Sequence, residues 1–174
     1  MSKPGLIVID LQNDYFPEGA FPLCNTEATL SASERAIAKA RSKGIPVVLI
    51  QHVADTARGR APFFNPGTTG VELHPRILAA APDAPVIVKH YADSFDQTDL
   101  QSTLQRLEVD ELVVCGMMTQ NCVTHTALSR SAEDYAKVTV LADACTTVSE
   151  MLNAIALSAL SRRVTLSSVD DGLA

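Results

Sequence analysis

The sequence predicts a three-layer α/β/α fold in which one six-stranded, parallel, doubly wound sheet lies between layers of helices. Three observations carry this reading. Short runs rich in valine, isoleucine and leucine recur six times, longer stretches with helical spacing separate most of them, and the runs are apolar throughout, as in Val47-Val-Leu-Ile50. A strand covered by helices on both faces must be apolar on both, and parallel strands need a crossover between them. Alternation of strand and helix along the chain therefore points to a parallel sheet.

In chain order, strands are expected at 5–10, 46–52, 85–89, 111–115, 137–142 and 163–167, and helices at 27–43, 97–107, 121–134 and 149–161. Gly44-Ile-Pro46 reads as a helix stop running directly into the second strand. Asp96, with Asp99 three residues on, reads as an N-cap and its partner for the helix over 97–107. The usual order for such a sheet is 3-2-1-4-5-6, and nothing along residues 1–174 divides the chain, so one domain is expected.

Composition narrows the function classes. With 47% hydrophobic and 20% charged residues the chain has the makings of a folded core. A net charge of −6 and the lack of any basic run argue against a nucleic-acid partner. The first apolar run, Leu6 to Ile9, is too short for an export signal and is stopped by Asp10, and no segment has the length of a membrane span. The four cysteines (Cys24, Cys115, Cys122, Cys145) include no Cys-x-x-Cys pair, which favours free thiols in a reducing compartment. A cytoplasmic protein without a membrane partner is expected.

Two long segments interrupt the alternation, 12–24 after the first strand and 54–73 after the second. Loops leaving the carboxyl ends of strands in such a sheet tend to build the ligand site. Three polar positions fall at that edge: Asp10 after the first strand, Lys89 after the third, and the turn Gly116-Met-Met-Thr-Gln-Asn-Cys122 after the fourth. Each has a bland alternative. Asp10 could end a strand, Lys89 could be a solvated terminus, and Cys122 could be a small buried apolar group. The turn favours chemistry, because it places Cys122 in the first turn of the helix over 121–134. There, free N–H groups and the positive dipole end favour a thiolate and could hold an oxyanion. Such a cysteine is expected to alkylate well below pH 8, whereas a structural one is inert.

At this point the chain resembles the isochorismatase-like cysteine hydrolases, a superfamily that includes nicotinamidases and N-carbamoyl amide hydrolases. The matching stretches are Leu6-Ile-Val-Ile-Asp-Leu-Gln-Asn-Asp14, Val86-Ile-Val-Lys89, Ser94-Phe-Asp-Gln-Thr-Asp-Leu100, Val114-Cys-Gly-Met-Met-Thr-Gln-Asn-Cys-Val-Thr-His-Thr126 and Leu141-Ala-Asp-Ala144. The resemblance implies a triad of Asp10, Lys89 and Cys122. It also implies an oxyanion hole from the N–H groups of Met118 and Cys122, a cis peptide before Met118, and a dimer or larger homo-oligomer. The implied reaction is cleavage of a small-molecule amide or related C–N bond through a thioester. In that scheme Asp10 is the base, Lys89 holds the anionic groups, and the lysine stem must reach across the intervening second strand.

No metal or other cofactor is expected. Nicotinamidase-type relatives carry an Asp-x-His pair after the second strand, whereas this chain has Gln51-His-Val-Ala-Asp55, and its histidines (His52, His74, His90, His125) lack ligand spacing. His74 reads as structural, and His125 as packed or hydrogen-bonded. Phe16, Phe21, His52, Phe64, Tyr91 and Phe95 are candidate pocket walls for a small-molecule substrate. Gln12 and Asn13 are candidates to orient Asp10, and Gln120 to reach the substrate. The apolar segment 151–160 reads as a core-facing helix, with an oligomer interface as the alternative. Three competing functions stand beside the hydrolase. A vinyl-ether hydrolase of the isochorismatase type is disfavoured by Cys122. A nucleotide-binding module lacks its glycine-rich turn, and a non-catalytic binding relative is disfavoured by the intact triad.

Overall fold

Strand order in the computed structural model, which describes residues 2–57 and 59–173, is β3-β2-β1-β4-β5-β6, all parallel. The strands are β1 (Pro4–Ile9), β2 (Val47–His52), β3 (Val86–Lys89), β4 (Glu111–Met117), β5 (Lys137–Thr146) and β6 (Thr165–Ser167). The central strands β1 and β4 are buried almost end to end, as the uninterrupted apolar runs require.

The helices are α1 (Thr26–Ser42), α2 (Pro75–Ala80), α3 (Leu100–Arg106), α4 (Thr124–Ala127), α5 (Glu150–Leu160) and α6 (Val169–Gly172). Right-handed crossovers put α1 and α2 on one face of the sheet and α3, α4 and α5 on the other. Strands β1 to β3 are added towards one edge of the sheet and β4 to β6 towards the other, so β1 and β4 flank the switch point where ligands bind in such sheets. Among the described residues no helix is long and apolar enough to cross a membrane.

Several elements depart from expectation. β4 and β5 run on to Met117 and Thr146, past the expected ends at 115 and 142. The helix expected over 121–134 is three pieces: a π-helical turn (Thr119–Val123), the single turn α4, and a 3-10 turn (Arg130–Asp134). Thr124 Oγ1 donates to the Thr119 carbonyl, and Ser129 Oγ accepts from the Ser131 N–H. Hydroxyls that bond the local backbone compete with a continuous helix in this way. Cys122 thus sits inside a π-turn and not in the first turn of an α-helix. The capping pair proposed for 97–107 is not formed either. Asp96 lies in a turn, α3 starts at Leu100, and Thr98 Oγ1 takes the Leu100 N–H. α5 turns Ala156 and Leu160 inward but leaves Met151 and Ile155 exposed, so it is core-facing along one edge only.

Candidate active site

Gly116 makes the geometry of the switch point possible. It has φ +125°, and a Cβ there would lie 2.1 Å from the Ile9 carbonyl oxygen, so the β1 and β4 backbones touch just before the π-turn. The β4–β5 register shifts between Val114 and Gly116. The Met117–Met118 peptide is cis, and the Met118 N–H meets no acceptor among the described residues.

β1 ends at Ile9, and Asp10 follows with φ 53°. Its side chain is fully buried, yet both carboxylate oxygens are without a hydrogen bond among the described residues. Lys89 Nζ lies 3.0 Å from Asp10 Oδ2, and both side chains are fully buried. The contact is an ion pair by distance without a hydrogen bond's alignment. The lysine stem bridges the width of β2, closing the gap between non-adjacent strands. The Sγ of Cys122, a carboxylate oxygen of Asp10 and a ring nitrogen of His52 lie within 4.8 Å of one another. The structure therefore brings Asp10, Lys89, Cys122 and His52 into one buried cluster.

Charge and burial set the protonation states. Burial pushes the Cys122 thiol above the ordinary cysteine range, and the Asp10 charge adds to that, while Lys89 opposes it. Depth in the fold and the facing carboxylate work against a resting thiolate, and the Lys89 ammonium works for one. For Lys89, burial works against the ammonium, but Asp10 and Cys122 outweigh it and hold it above the usual lysine range. His52 is pushed down to about 4, first by burial and then by the Lys89 charge, so the ring is neutral at pH 7.

A pocket of about 220 Å³ opens on the sulfur, lined by Tyr15, His52, Ala54, Asp55, Ala61, Pro62, Phe63, Phe64, Asn121 and Cys122. Larger clefts of about 510 and 550 Å³ lie elsewhere and contain none of the clustered residues. Of the pocket candidates named from sequence, His52 and Phe64 line it. Phe21 stands behind it, packed on Tyr15 and Phe63. Phe16 is not brought there but stacks on His74, with ring centroids 4.4 Å apart. Phe95 packs towards Tyr135, and the exposed Tyr91 contributes its carbonyl to Lys89 and not its ring.

Gln12 is fully buried and clamps β2. Its Nε2 donates to the carbonyls of His52 and Val71, and its Oε1 accepts from the His52 N–H. Asn13 donates to the Thr69 carbonyl, away from Asp10. Gln120 lies against Met118 Sδ, with its Oε1 buried and without a partner among the described residues. Tyr15, Phe63 and Asn121 escaped the sequence reading, although Tyr15 and Phe63 sit in the two long loops that pointed to the site.

Asp10, His52 and Cys122 could supply three metal-ligand atoms, a trio that spacing along the chain does not reveal. They do not fit a cation as arranged. The Lys89 ammonium is 3.0 Å from both His52 Nδ1 and Asp10 Oδ2, so a metal would have to displace a buried positive charge. Of the other histidines, His74 caps α2 by accepting from the Arg76 N–H, and His90 bonds the Val53 carbonyl. His125 is exposed and not packed as expected.

Comparison with known proteins bears on the family and the fold. An uncharacterized isochorismatase family protein of Bacillus subtilis, YddQ, is 43% identical over 143 residues, covering 82% of this chain and 77% of its own. The nicotinamidase of Escherichia coli is 29% identical over 83% of this chain and 84% of its own. The crystal structure of an isochorismatase-like hydrolase from Alkaliphilus metalliredigens superposes with a TM-score of 0.86 at 25% identity, covering 99% and 98% of the two chains. The Isochorismatase domain family itself matches residues 4–171, and the chain therefore belongs to the isochorismatase family of hydrolases.

Proposed function

We propose that this protein is a cysteine hydrolase that cleaves an amide or related C–N bond of a small molecule through a thioester on Cys122. The observation that carries the reading is Asp10: a buried carboxylate with no hydrogen bond among the described residues, beside an ammonium and a thiol at the floor of a pocket. A carboxylate kept open at such cost is poised to take a proton.

Asp10 removes the Cys122 proton, and the thiolate attacks the carbonyl carbon. The C=O π electrons move to oxygen, where the N–H groups of Met118 and Cys122 are the proposed donors. The C–N bond breaks as Asp10 returns the proton to the leaving nitrogen, leaving the thioester. Water, deprotonated by Asp10, attacks that carbonyl. The C–S bond breaks, the acid departs, and sulfur regains the proton. Lys89 holds positive charge beside these anionic states throughout. The amide activity named for the Escherichia coli relative supports the C–N reading.

The test is ammonia release from a panel of primary amides, N-carbamoyl compounds and nicotinamide, comparing the native protein with Cys122→Ala after chelator treatment. Release that survives the chelator and vanishes in the variant is expected. Release that persists in the variant overturns the nucleophile assignment.

A further inference from the structure

Strand register puts His52 beside the lysine. His52 pairs with Lys89 in the β2–β3 ladder, so the two side chains leave the same face of neighbouring strands. Gln12 fixes the His52 backbone from both sides. The result is a contact of 3.0 Å between His52 Nδ1 and Lys89 Nζ.

An ammonium has three N–H donors and no lone pair. Around Lys89 Nζ stand three acceptors: His52 Nδ1 at 3.0 Å, the Tyr91 carbonyl at 3.0 Å and the Ala92 carbonyl at 3.4 Å. Asp10 Oδ2, the ion-pair partner, is equally near at 3.0 Å. Four acceptors thus crowd an ammonium with three protons, with Cys122 Sγ as a further neighbour, and His52 competes with Asp10 and Cys122 for them. The donation requires the His52 tautomer with a bare Nδ1 and a proton on Nε2.

We propose that His52 is a positioning residue of the cluster, whose neutral Nδ1 takes one Lys89 proton and so limits the share that reaches Asp10 and Cys122. This rests on reading Cys122 as the nucleophile. Cys122 Sγ is 4.0 Å from the same Nδ1, close enough for a freed ammonium proton to turn to sulfur once the ring is gone. The charged and titratable groups around His52 are Lys89 at the end of β3, His90 just after it, Asp10 just after β1 and Cys122 from the π-turn, with Asp55 and Tyr15 lining the same pocket.

The test reads the sulfur directly and needs no substrate: the rate of Cys122 alkylation by iodoacetamide, followed by mass spectrometry across pH, with Cys122→Ala as the blank. The native profile is expected to rise with a midpoint above the ordinary value of about 8.5. His52→Leu frees an ammonium proton for the thiolate and shifts the midpoint down by about one unit. His52→Asn, whose Oδ1 can accept in place of Nδ1, returns it towards native. A His52→Leu profile that superimposes on the native one, or moves up, overturns the proposal. Should His52→Leu fail to fold, ring-nitrogen NMR of the native protein decides. A bare Nδ1 with Nε2–H supports the proposal, and a proton on Nδ1 overturns it, because two donors cannot face each other. Amide cleavage that persists in Cys122→Ala would instead remove the nucleophile reading while leaving the Lys89–His52 contact measurable.

Discussion

Asp10 and Asp14 are four residues apart in one segment, and both are buried, but the fold treats them oppositely. Asp14 Oδ1 accepts from the Ala20 N–H and Oδ2 from the Phe64 N–H, which ties the loop after β1 to the loop after β2. Asp10 accepts nothing among the described residues and faces an ammonium and a thiol. A buried carboxylate closed off by backbone donors holds a structure together, and one left open has capacity for a reacting proton. The largest effects test that contrast. Asp10→Asn is expected to lower kcat by about 10²- to 10⁴-fold, the usual contribution of a positioned acid–base group. Asp14→Asn is expected to lose about 1.5–3 kcal/mol of stability through its charge-assisted bonds, with a smaller loss of kcat per folded molecule. Urea melts and turnover of both variants decide the matter. Equal losses of kcat would erase the distinction.

Lys89 sharpens the comparison, because it is buried on account of Asp10 and not of the core. Lys89→Met keeps the stem and removes the charge, leaving Asp10 as an uncompensated buried carboxylate. Breaking such a pair costs about 3–5 kcal/mol. The double variant Asp10→Asn/Lys89→Met removes both charges and is expected to recover most of that stability and none of the activity. A double variant no more stable than Lys89→Met would mean that the ion pair is not what the single change disrupts.

The open groups also predict an acid limb to stability. His52 is held neutral, with its pKa lowered to about 4 from an ordinary value near 6.5. Between those values the unfolded chain binds the extra proton, so stability rises with pH and falls away as pH drops from about 6.5 towards 4. The loss is on the order of 2 kcal/mol. His74, whose pKa is lowered chiefly by burial, contributes in the same direction. Urea midpoints at neutral and acid pH are expected to differ less in His52→Asn than in the native protein. An unchanged difference would show that His52 titrates alike folded and unfolded.

Sequence carried the architecture because strand and helix each leave a periodic signature, and the central strands here are apolar on both faces. It carried Asp10, Lys89 and Cys122 as positions at one edge, since strand ends converge there whatever the loops do. It did not carry the Thr119–Val123 turn, where hydroxyl bonds from Thr124 and the Gly116 contact with Ile9 override helical spacing. Nor could it tell Phe16 from Tyr15, adjacent aromatics in one loop. Tyr15 turns to the pocket and Phe16 to His74, and only the path of the 3-10 turn Asn13–Tyr15 separates them. His52 was legible as a wall residue, but its hold on Lys89 depends on β2–β3 register, which no local pattern reports.

Gln12 and Tyr15 repeat the contrast at its smallest scale. Gln12 makes three hydrogen bonds to the β2 end and the Val71 carbonyl, all within the fold. Gln12→Leu would take these partners from the His52 N–H and carbonyl, costing about 1–3 kcal/mol, and would move His52 with them, while the Val71 carbonyl keeps its bond from Gln51 Nε2. Tyr15 is 1% exposed and lines the pocket, and its hydroxyl makes no hydrogen bond among the described residues. Burial pushes its ionisation well above the ordinary tyrosine value, with Asp10 and Cys122 adding to it, so the group is a fixed O–H donor. Tyr15→Phe deletes that donor while keeping the ring that packs on Phe63 and Phe64. Stability is expected to stay within about 0.5 kcal/mol of native. For a substrate that accepts from the hydroxyl, KM is expected to rise by about 2- to 10-fold, the value of one neutral hydrogen bond, with kcat nearly unchanged. A fall in kcat at constant KM would place the hydroxyl on the transition state instead. A loss of stability above 1 kcal/mol would move Tyr15 to the closed side, with Asp14 and Gln12.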